Sequence, residues 1–522
     1  MKRILALALA LCMIFALCAC GKKAETSDPA QVAAAAAETQ QTATEKSYKS
    51  TVVVAPDLEF TGVDVQGEKG SFTKSVFLTV MNTLIEYDTA EGKLIPGLAT
   101  EWTQKDDTTW ELKLREGVKF HDGTDFTAED VKFTLERAKD GAMSKSLVSN
   151  IDHVDVIDDH TVDVVLSKID GDIIYKFTEP NLCILSKNAF DTLSEEQANM
   201  IGTGPFKYED WVQGDHVTLA RFDEYWGGAA KTEKIVVQTI PEASSRLVAL
   251  QSGEVDYCVN PPEIDLHYIE EDGNLVLYRV LSSNIRYITV NIDCKPFDNE
   301  LVRQAVAHAI SRDDMIAAVY EGNATPAFNA VHPQTMGYKE VKYYDYDVEL
   351  AKSLLAEAGY PDGFKTEIYC SNGTIQKAVA TVLQAELAEI GIEAEIQALD
   401  TATFNAGILH GGTYPLGVMG YGGYFTGPDN AMRKLFYSTA SMNFSNLNDA
   451  HIDELLDAAL AEKDEAKRVE LYGELQDYVA TLATWLPIAI EETNIGVNAN
   501  LEGYEEPFGV FHHLRNLAVV EG

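Results

Sequence analysis

An α/β fold is what the residue pattern predicts, and three observations carry that prediction. Strand-like and helix-like runs alternate from Thr51 onward. Residues 365–396 read as strand, helix and returning strand, the unit that builds a parallel layer. A chain of 522 residues with 46% hydrophobic content is also long enough for two or three domains around a large buried core.

The elements follow in order. Val52-Val53-Val54-Ala55 is a short buried-strand run. Trp110-Glu111-Leu112-Lys113-Leu114 alternates with period two, the mark of a half-buried strand. His121-Asp122-Gly123-Thr124 is a tight polar turn, because Asp-Gly favours turn geometry. A helix opens after it: Thr127 caps, Asp130 stands near the first backbone N–H groups, and Phe126 and Val131 clasp as a hydrophobic staple. Leu301, Val302, Ala305, Val306, Ala309 and Ile310 mark one amphipathic helix, and Ser311 with Asp314 restarts another. Lys365 to Cys370 is the first strand of the strand–helix–strand unit. Ile375, Val379, Val382, Leu383, Leu387 and Ile390 recur at helical spacing, Gly391 ends that helix as a left-handed cap, and Ile392 to Ile396 alternates as the returning strand. Ile452, Leu455, Leu456, Ala459 and Leu460 repeat the helical stripe. Such stripes are expected to be core, because amphipathic helices of globular domains bury that face.

The N-terminal stretch has a different character. Met1-Lys2-Arg3 is basic, and Ile4 to Ala19 is uncharged and mostly apolar. That run falls short of the roughly 20 residues of a comfortable membrane span and reads as a secretory signal over 1–20. It ends in Leu17-Cys18-Ala19-Cys20, and small residues before a cysteine resemble the bacterial lipobox, in which the cysteine carries lipid. Two or more acyl chains hold a soluble domain stably where one is marginal, so Cys20 is the expected lipid-attachment residue. The alternative is an ordinary cleaved signal with Cys20 incidental. Residues 21–49, rich in Ala, Thr, Gln, Glu, Lys and Ser, build no core and are expected to be a flexible tether.

Charge and motifs exclude several function classes. With 41 basic and 82 acidic residues the formal net charge is −41, which repels phosphate backbones and makes nucleic acid an unsuitable partner. Four of the seven cysteines, Cys183, Cys258, Cys294 and Cys370, lie beyond the signal and tether, scattered, with no CxxC pair and no histidine at ligand spacing. Zinc is not expected, the thiols read as buried small hydrophobes, and a disulfide stays open. There is no GxSxG elbow, HExxH, P-loop or helix-opening GxGxxG. His121-Asp122-Gly123 reads as a turn rather than a metal or acid–base site. His512-His513, if on a strand, point in different directions and make a poor metal pair. No carboxylate pair stands out among 82. Neither an enzyme nor a cofactor-dependent protein is expected.

A resemblance begins at Leu98-Ala99-Thr100-Glu101-Trp102. It sharpens through Leu114-Arg115-Glu116-Gly117-Val118-Lys119-Phe120-His121-Asp122-Gly123-Thr124 and Phe126 to Val131. Gly202-Thr203-Gly204-Pro205-Phe206, Tyr225-Trp226-Gly227-Gly228, Arg246 with Leu250 to Asp256, Arg303-Gln304-Ala305-Val306, and Ala356 to Tyr360 before Gly363-Phe364 follow in order. Over about residues 50 to 515 the chain resembles the bacterial extracellular solute-binding proteins of family 5, the dipeptide, oligopeptide and nickel binders. The resemblance implies a type II periplasmic-binding-protein fold: two hinged lobes with an additional α/β domain and a ligand cleft between the lobes. Projected here, the first lobe is 50–86, 200–281 and 490–522, the additional domain 87–199, and the second lobe 282–489.

The same resemblance locates the selectivity site and shows a departure. Peptide-binding members carry Gly-Trp-x-x-Asp, whose aspartate pairs with the peptide's α-ammonium, leading into a Gly-Asp-Pro-Asp-Asn-like turn. The matching run is Gly420-Tyr421-Gly422-Gly423-Tyr424-Phe425-Thr426-Gly427-Pro428-Asp429-Asn430. Tyr421 stands for the tryptophan and Tyr424 for the aspartate. A buried ammonium needs a compensating charge or a dense set of acceptors, and one phenol supplies neither. Tyr421, Gly423, Tyr424, Phe425 and Asp429 are the candidate ligand residues, with the aromatic rings suited to stacking or cation–π contact; the alternative is that they pack the lobes and another acid binds the amine. The expected role is a lipid-anchored, extracytoplasmic and monomeric receptor that hands a small solute or short peptide to ABC permease subunits. A sensing protein of the same fold, or a binder of sugar, opine, metal-chelate or haem cargo, stays open beside it.

Overall fold

Eleven strands join in one mixed sheet that runs through the molecule. The structure is a computed structural model and describes residues 46–88, 91–409, 414–422, 427–507 and 511–521. The expected signal, Cys20 and most of the tether lie outside the described residues. In chain order the sheet strands are β1 (Thr51–Ala55), β2 (Phe206–Val212), β3 (His216–Arg221) and β4 (Lys234–Gln238). Then come β5 (Tyr257–Val259), β6 (Leu275–Val290), β7 (Ala324–Pro326) and β8 (Lys365–Ser371). Last are β9 (Glu393–Leu399), β10 (Leu416–Gly422) and β11 (Trp485–Asn498). Across the sheet the order is β9-β8-β10-β6-β11-β5-β1-β4-β3-β2, with β7 beside β11.

Local sequence accounts for most of these elements. β8 and β9 pair in parallel, joined by the helix Thr374–Glu389, as the spacing predicts. Gly391, with φ of +85°, supplies the left-handed step after that helix. The helix Glu300–Ala309 buries Val302, Ala305, Val306 and Ala309, and Ser311 caps the next one by accepting from the Asp314 N–H at 3.2 Å. At the helix Ala128–Arg137 the Asp130 carboxylate accepts the Thr127 N–H at 2.9 Å and the Lys187 N–H at 2.9 Å. Asp130→Ala strands both donors and is expected to cost about 2 kcal/mol in urea unfolding. A loss below about 0.5 kcal/mol would show that water replaces the carboxylate. The His121–Thr124 stretch is indeed a turn: Gly123 N–H bonds Phe120 C=O at 2.9 Å, and the Asp122 carboxylate accepts from Thr124 N–H at 3.0 Å.

Two strands, β6 and β11, are far longer than the rest and serve two separate cores. Their register runs from Leu275↔Asn498 to Leu281↔Glu492, breaks, resumes at Ile285↔Ile490 and Arg286↔Ala489, and shifts once more before Tyr287↔Pro487 to Thr289↔Trp485. The first break is a bulge that sets Ser282, Ser283 and Asn284 of β6 against Glu491 alone on β11, and bulges bend and twist the strand that carries them. On one side Val280, Ile495 and Val497 join the core of β1 and β4. On the other, Ile288, Val290, Leu486 and Ile488 join the core that holds Val302, Leu383 and Ile392. A further core, over residues 84–184, forms against a four-stranded antiparallel sheet: Ala99–Gln104, Thr109–Leu114, Thr161–Leu166 and Ile151–Asp158. Cys183, Cys258 and Cys370 are free thiols buried in three of the cores, and Cys294 is a half-buried free thiol.

Candidate functional site

A cavity of about 580 Å³ opens where residues 78–95, 178–180 and 504–515 meet Gln334. Its wall is built from stretches far apart in sequence. Arg515 grips Glu86 through a fork, Nη1 to Oε1 at 2.9 Å and Nη2 to Oε2 at 2.7 Å. That bidentate geometry fixes both side chains, and Glu86 holds the guanidinium pKa above its ordinary range. Tyr504 lies flat on Tyr278, ring centroids 3.9 Å apart at 8°. Gln334 reaches in from the sequence between β7 and β8: its carbonyl accepts from Tyr87 Oη at 3.3 Å, and its side-chain amide donates to Glu506 at 3.4 Å. The Tyr504 hydroxyl and the Gln334 side-chain oxygen are buried atoms without a hydrogen-bond partner among the described residues. Both lie on the cavity wall. A ligand atom would satisfy them.

The charge on this wall is mostly acidic. Glu86 is neutralised by Arg515, and Asp88, Glu179, Glu505 and Glu506 also line the cavity. His513 stands 3.9 Å from Glu505, and burial pushes its pKa down. His512 turns the other way, into the core, where its Nδ1 lies 2.7 Å from the Tyr257 hydroxyl. The adjacent histidines are not on a regular strand, but they do diverge. Among the described residues no group of three or more His, Cys, Asp or Glu is arranged to hold a metal ion.

A second cavity, of about 200 Å³, adjoins residues 168–176 on one side and 429–434 on the other. Here the segment before Thr178 meets the helix Pro428–Phe436. Asp172 is fully buried, and its carboxylate lies so close to Gly427 that a Cβ there would stand 2.8 Å from Oδ2. Gly427 has φ of +102°, so both conformation and space require glycine. Asp170 is paired to Lys176 at 2.6 Å, and Asp172 faces Arg468 at 3.8 Å. Gly171 N–H bonds Leu460 C=O at 2.9 Å, and Tyr175 Oη donates to Glu465 at 3.1 Å. Residues 170–175 are thus stitched to residues 460–468.

The sequence-derived candidates are placed as follows. Tyr421 is on β10 opposite Ile285 of β6 and is buried in the core that also holds Tyr287, Phe436 and Trp485. Asp429 sits in the first turn of its helix, buried, with the Arg433 guanidinium on its carboxylate at 3.0 Å. Gly423, Tyr424 and Phe425 lie outside the described residues. The residues that sequence reading missed are Glu86, Arg515, Asp172, Glu179 and Lys434. Glu86 and Arg515 are 429 positions apart, and no local pattern joins them.

Two long strands that pass between separate cores, with cavities at the seam, define a two-lobed binding protein of the type II periplasmic class. Residues 93–443 match the family model for bacterial extracellular solute-binding proteins, family 5 Middle, and the chain belongs to this family. It is 33% identical over 468 residues to the glutathione-binding protein GsiB of Shigella flexneri, covering 87% of this chain and 91% of that protein. The solved structure of HbpA2 from Haemophilus parasuis superposes with a TM-score of 0.84 at 26% identity, over 90% of this chain and all (100%) of that one. The periplasmic binding protein DppA of Helicobacter pylori, in complex with the peptide STSA, superposes at 0.74 with 27% identity, over 91% and 99% of the two chains. At the family level the role is solute binding, not catalysis, and the setting is extracytoplasmic. Among the described residues no helix is long and apolar enough to cross a membrane.

Proposed function

We propose that this chain is the monomeric, lipid-anchored receptor of an ABC importer, which closes two lobes over a peptide-class solute and presents it to the permease. The supporting observation is the 580 Å³ cavity walled by three separate chain segments and by Gln334, from the stretch between β7 and β8. Two of the relatives named above are a glutathione-binding protein and a binding protein in complex with a peptide, and a solute of that size suits such a cavity. The lobes divide as 50–86, 200–281 and 490–522 against 282–489, with 87–199 as the additional domain. The bulge at Ser282–Asn284 then serves as the bend of the hinge. Tyr424, in the aspartate's place, leaves an ammonium without its usual partner, and the carboxylates of Glu505 and Glu506 take that role across the cavity. Tyr421 and Asp429 support the site from behind, through the core and through Arg433.

A thermal-shift screen of the purified protein against short peptides, glutathione, opines, sugars and nickel chelates is expected to give a response confined to the peptide class. A ligand at 100 times its Kd stabilises by about 2.7 kcal/mol, well within detection. Silence across the whole library would sink the reading. Anchoring is checked separately: Cys20→Ala is expected to abolish incorporation of labelled fatty acid and to move the protein from the membrane fraction to the soluble one. Equal labelling of the variant would overturn Cys20 as the lipid site.

A further inference from the structure

Asp172 is 1% exposed, and neither of its carboxylate oxygens has a hydrogen-bond partner among the described residues. Solute capture as read above makes no use of it. It stands where residues 170–175 meet two helices, Pro428–Phe436 and Glu465–Thr481. The fit is close on both sides. A Cβ at Gly427 would lie 2.8 Å from Asp172 Oδ2, and a Cβ at Gly171 would lie 2.5 Å from Arg468 Nη1. Gly171 N–H donates to the Leu460 carbonyl at 2.9 Å. This seam therefore closes backbone against backbone, with a carboxylate shut inside it.

The surrounding groups leave that carboxylate poorly served. On its own segment, Asp170 is taken up by Lys176 at 2.6 Å and by the Asn150 amide at 2.8 Å. From the first helix, Asp429 brings a second carboxylate, itself held by Arg433 at 3.0 Å. From the second helix, Arg468 is the one cation within 4 Å among the described residues, at 3.8 Å, too far for a hydrogen bond. The buried Tyr472 hydroxyl also faces this group, and Glu465 is engaged by Tyr175 Oη at 3.1 Å. Lys168 and Lys434 line the adjoining 200 Å³ cavity. Burial, then Asp429, push the Asp172 pKa from 3.8 up to about 7, against the pull of Arg468 and Lys176. Parting the seam returns the carboxyl to water and takes it away from Asp429, so its pKa falls back toward the ordinary value. Closed and open seams then hold different numbers of protons.

We propose that closing this seam takes up a proton at Asp172, so that solute capture is favoured as pH falls and solute release as pH rises. This rests on the lobe division and the solute-capture reading above, in which residues 170–175 belong to the additional domain and the two helices to the second lobe. The sign follows from the raised closed-state pKa: the contribution to closing is full below about pH 4, fades through pH 7 and is absent above it. Across that window solute affinity is expected to fall by up to about tenfold per pH unit.

Hydrogen exchange read by mass spectrometry tests the seam with no ligand present, at labelling times too short for the core helix Thr374–Glu389 to exchange. Rates are corrected for the intrinsic pH dependence of exchange. Native protein and Asp172→Asn are expected to match at pH 5. At pH 8 the native protein is expected to exchange about tenfold faster than the variant over residues 168–176 and 460–468, where the Gly171 N–H reports directly. Tyr175→Phe, which cuts the link to Glu465 and keeps the carboxylate, is expected to loosen the seam equally at both pH values. Calorimetric titration with reduced glutathione and tripeptides, in two buffers of different ionisation enthalpy, then reads the coupling. At about pH 5.5 the native protein is expected to take up about one proton more per solute bound than Asp172→Asn does. Equal exchange of native protein and variant at pH 8 would overturn the inference. So would equal proton uptake and equal pH dependence of affinity in the two. Silence of every probe beside the expected exchange difference would instead sink the peptide-class reading and leave the proton-linked seam standing.

Discussion

Asp172→Asn is expected to stabilise the protein at pH 8 while leaving it nearly unchanged near pH 4. Asp172 is fully buried, and neither of its carboxylate oxygens has a hydrogen-bond partner among the described residues. Burial, then the Asp429 carboxylate, push its pKa from 3.8 up to about 7; Arg468 and Lys176 pull it down, and Asp170 adds to the rise. Asp429 itself is raised by burial and held back by Arg433. Because the folded-state pKa lies above the unfolded one, the folded chain holds more protons between pH 4 and 7. Stability from this group is therefore full below pH 4 and falls as pH rises through 7. At about 1.4 kcal/mol per pH unit the loss is on the order of 4 kcal/mol when complete. Asparagine keeps the shape and removes the titration, but it also takes a partner from Arg468, so the net gain at pH 8 is expected to be about 2–4 kcal/mol. Urea unfolding at pH 5 and pH 8 checks it: the native protein loses stability between the two, and the variant's curve is flatter by that amount. Parallel pH profiles would show that Asp172 stays charged in the fold.

The same group bears on how residues 170–175 seat against the neighbouring helix. Asp172 lies against Gly427 at the start of the helix Pro428–Phe436, and Gly171 and Tyr175 hold residues 460–465 beside it. A charged Asp172 without hydrogen bonds opposes that contact, and a neutral one permits it. The helix dipole offsets part of the cost, since a carboxylate at a helix N-terminus is favoured, but Asp429 already occupies that position.

Legibility in the sequence followed the range of the interaction. The helix over Thr374–Glu389 and its flanking strands were readable because side-chain period and the Gly391 cap act over a few residues. The turn at Asp122-Gly123 and the Thr127–Asp130 start were readable for the same reason. The eleven-stranded sheet was not, because β1 pairs with β4 and β5 from positions more than 170 residues away, and no local pattern fixes such a pairing. The site behaved likewise. The 420–430 run leads into the helix Pro428–Phe436, but its described candidates are turned inward: Tyr421 into the core beside β10, and Asp429 onto Arg433. Glu86 and Arg515 meet only once the chain has folded back on itself.

Arg286→Ala is expected to destabilise the protein by about 2–3 kcal/mol, because it removes a buried guanidinium and leaves the half-buried Glu491 carboxylate without its cation. Arg286 is 5% exposed and sits on β6 just past the bulge. Its Nη2 donates to Glu491 of β11 at 2.5 Å. The Asn284 amide donates to the other Glu491 oxygen at 2.6 Å, and Tyr320 Oη lies 3.4 Å from the first. The guanidinium is pressed against Gly420, where a Cβ would lie 2.7 Å from Nη1, so β10 too is fitted to it. Glu491 holds the Arg286 pKa up against the cost of its burial. Without the arginine, Glu491 faces Glu263, a neighbour whose own pKa is already raised by burial, Glu321, Glu491 and Glu492. Repulsion then adds to the lost pairing. Glu491→Gln should cost less, because the amide keeps an acceptor for Tyr320 and removes the charge. Replacing both, as Arg286→Met with Glu491→Leu, should recover most of the loss, since a buried ion pair and an apolar pair of similar volume are often equivalent. Urea unfolding of the two single variants and the double one measures this coupling. Additive losses would mean that Arg286 acts by packing alone. The pair stands at the first of the two breaks in register between β6 and β11, the bulge proposed above as the bend of the hinge, so loosening it should also shift lobe closure. Solute affinity is therefore expected to fall in Arg286→Ala, although the residue lines neither cavity, and to return in the double variant.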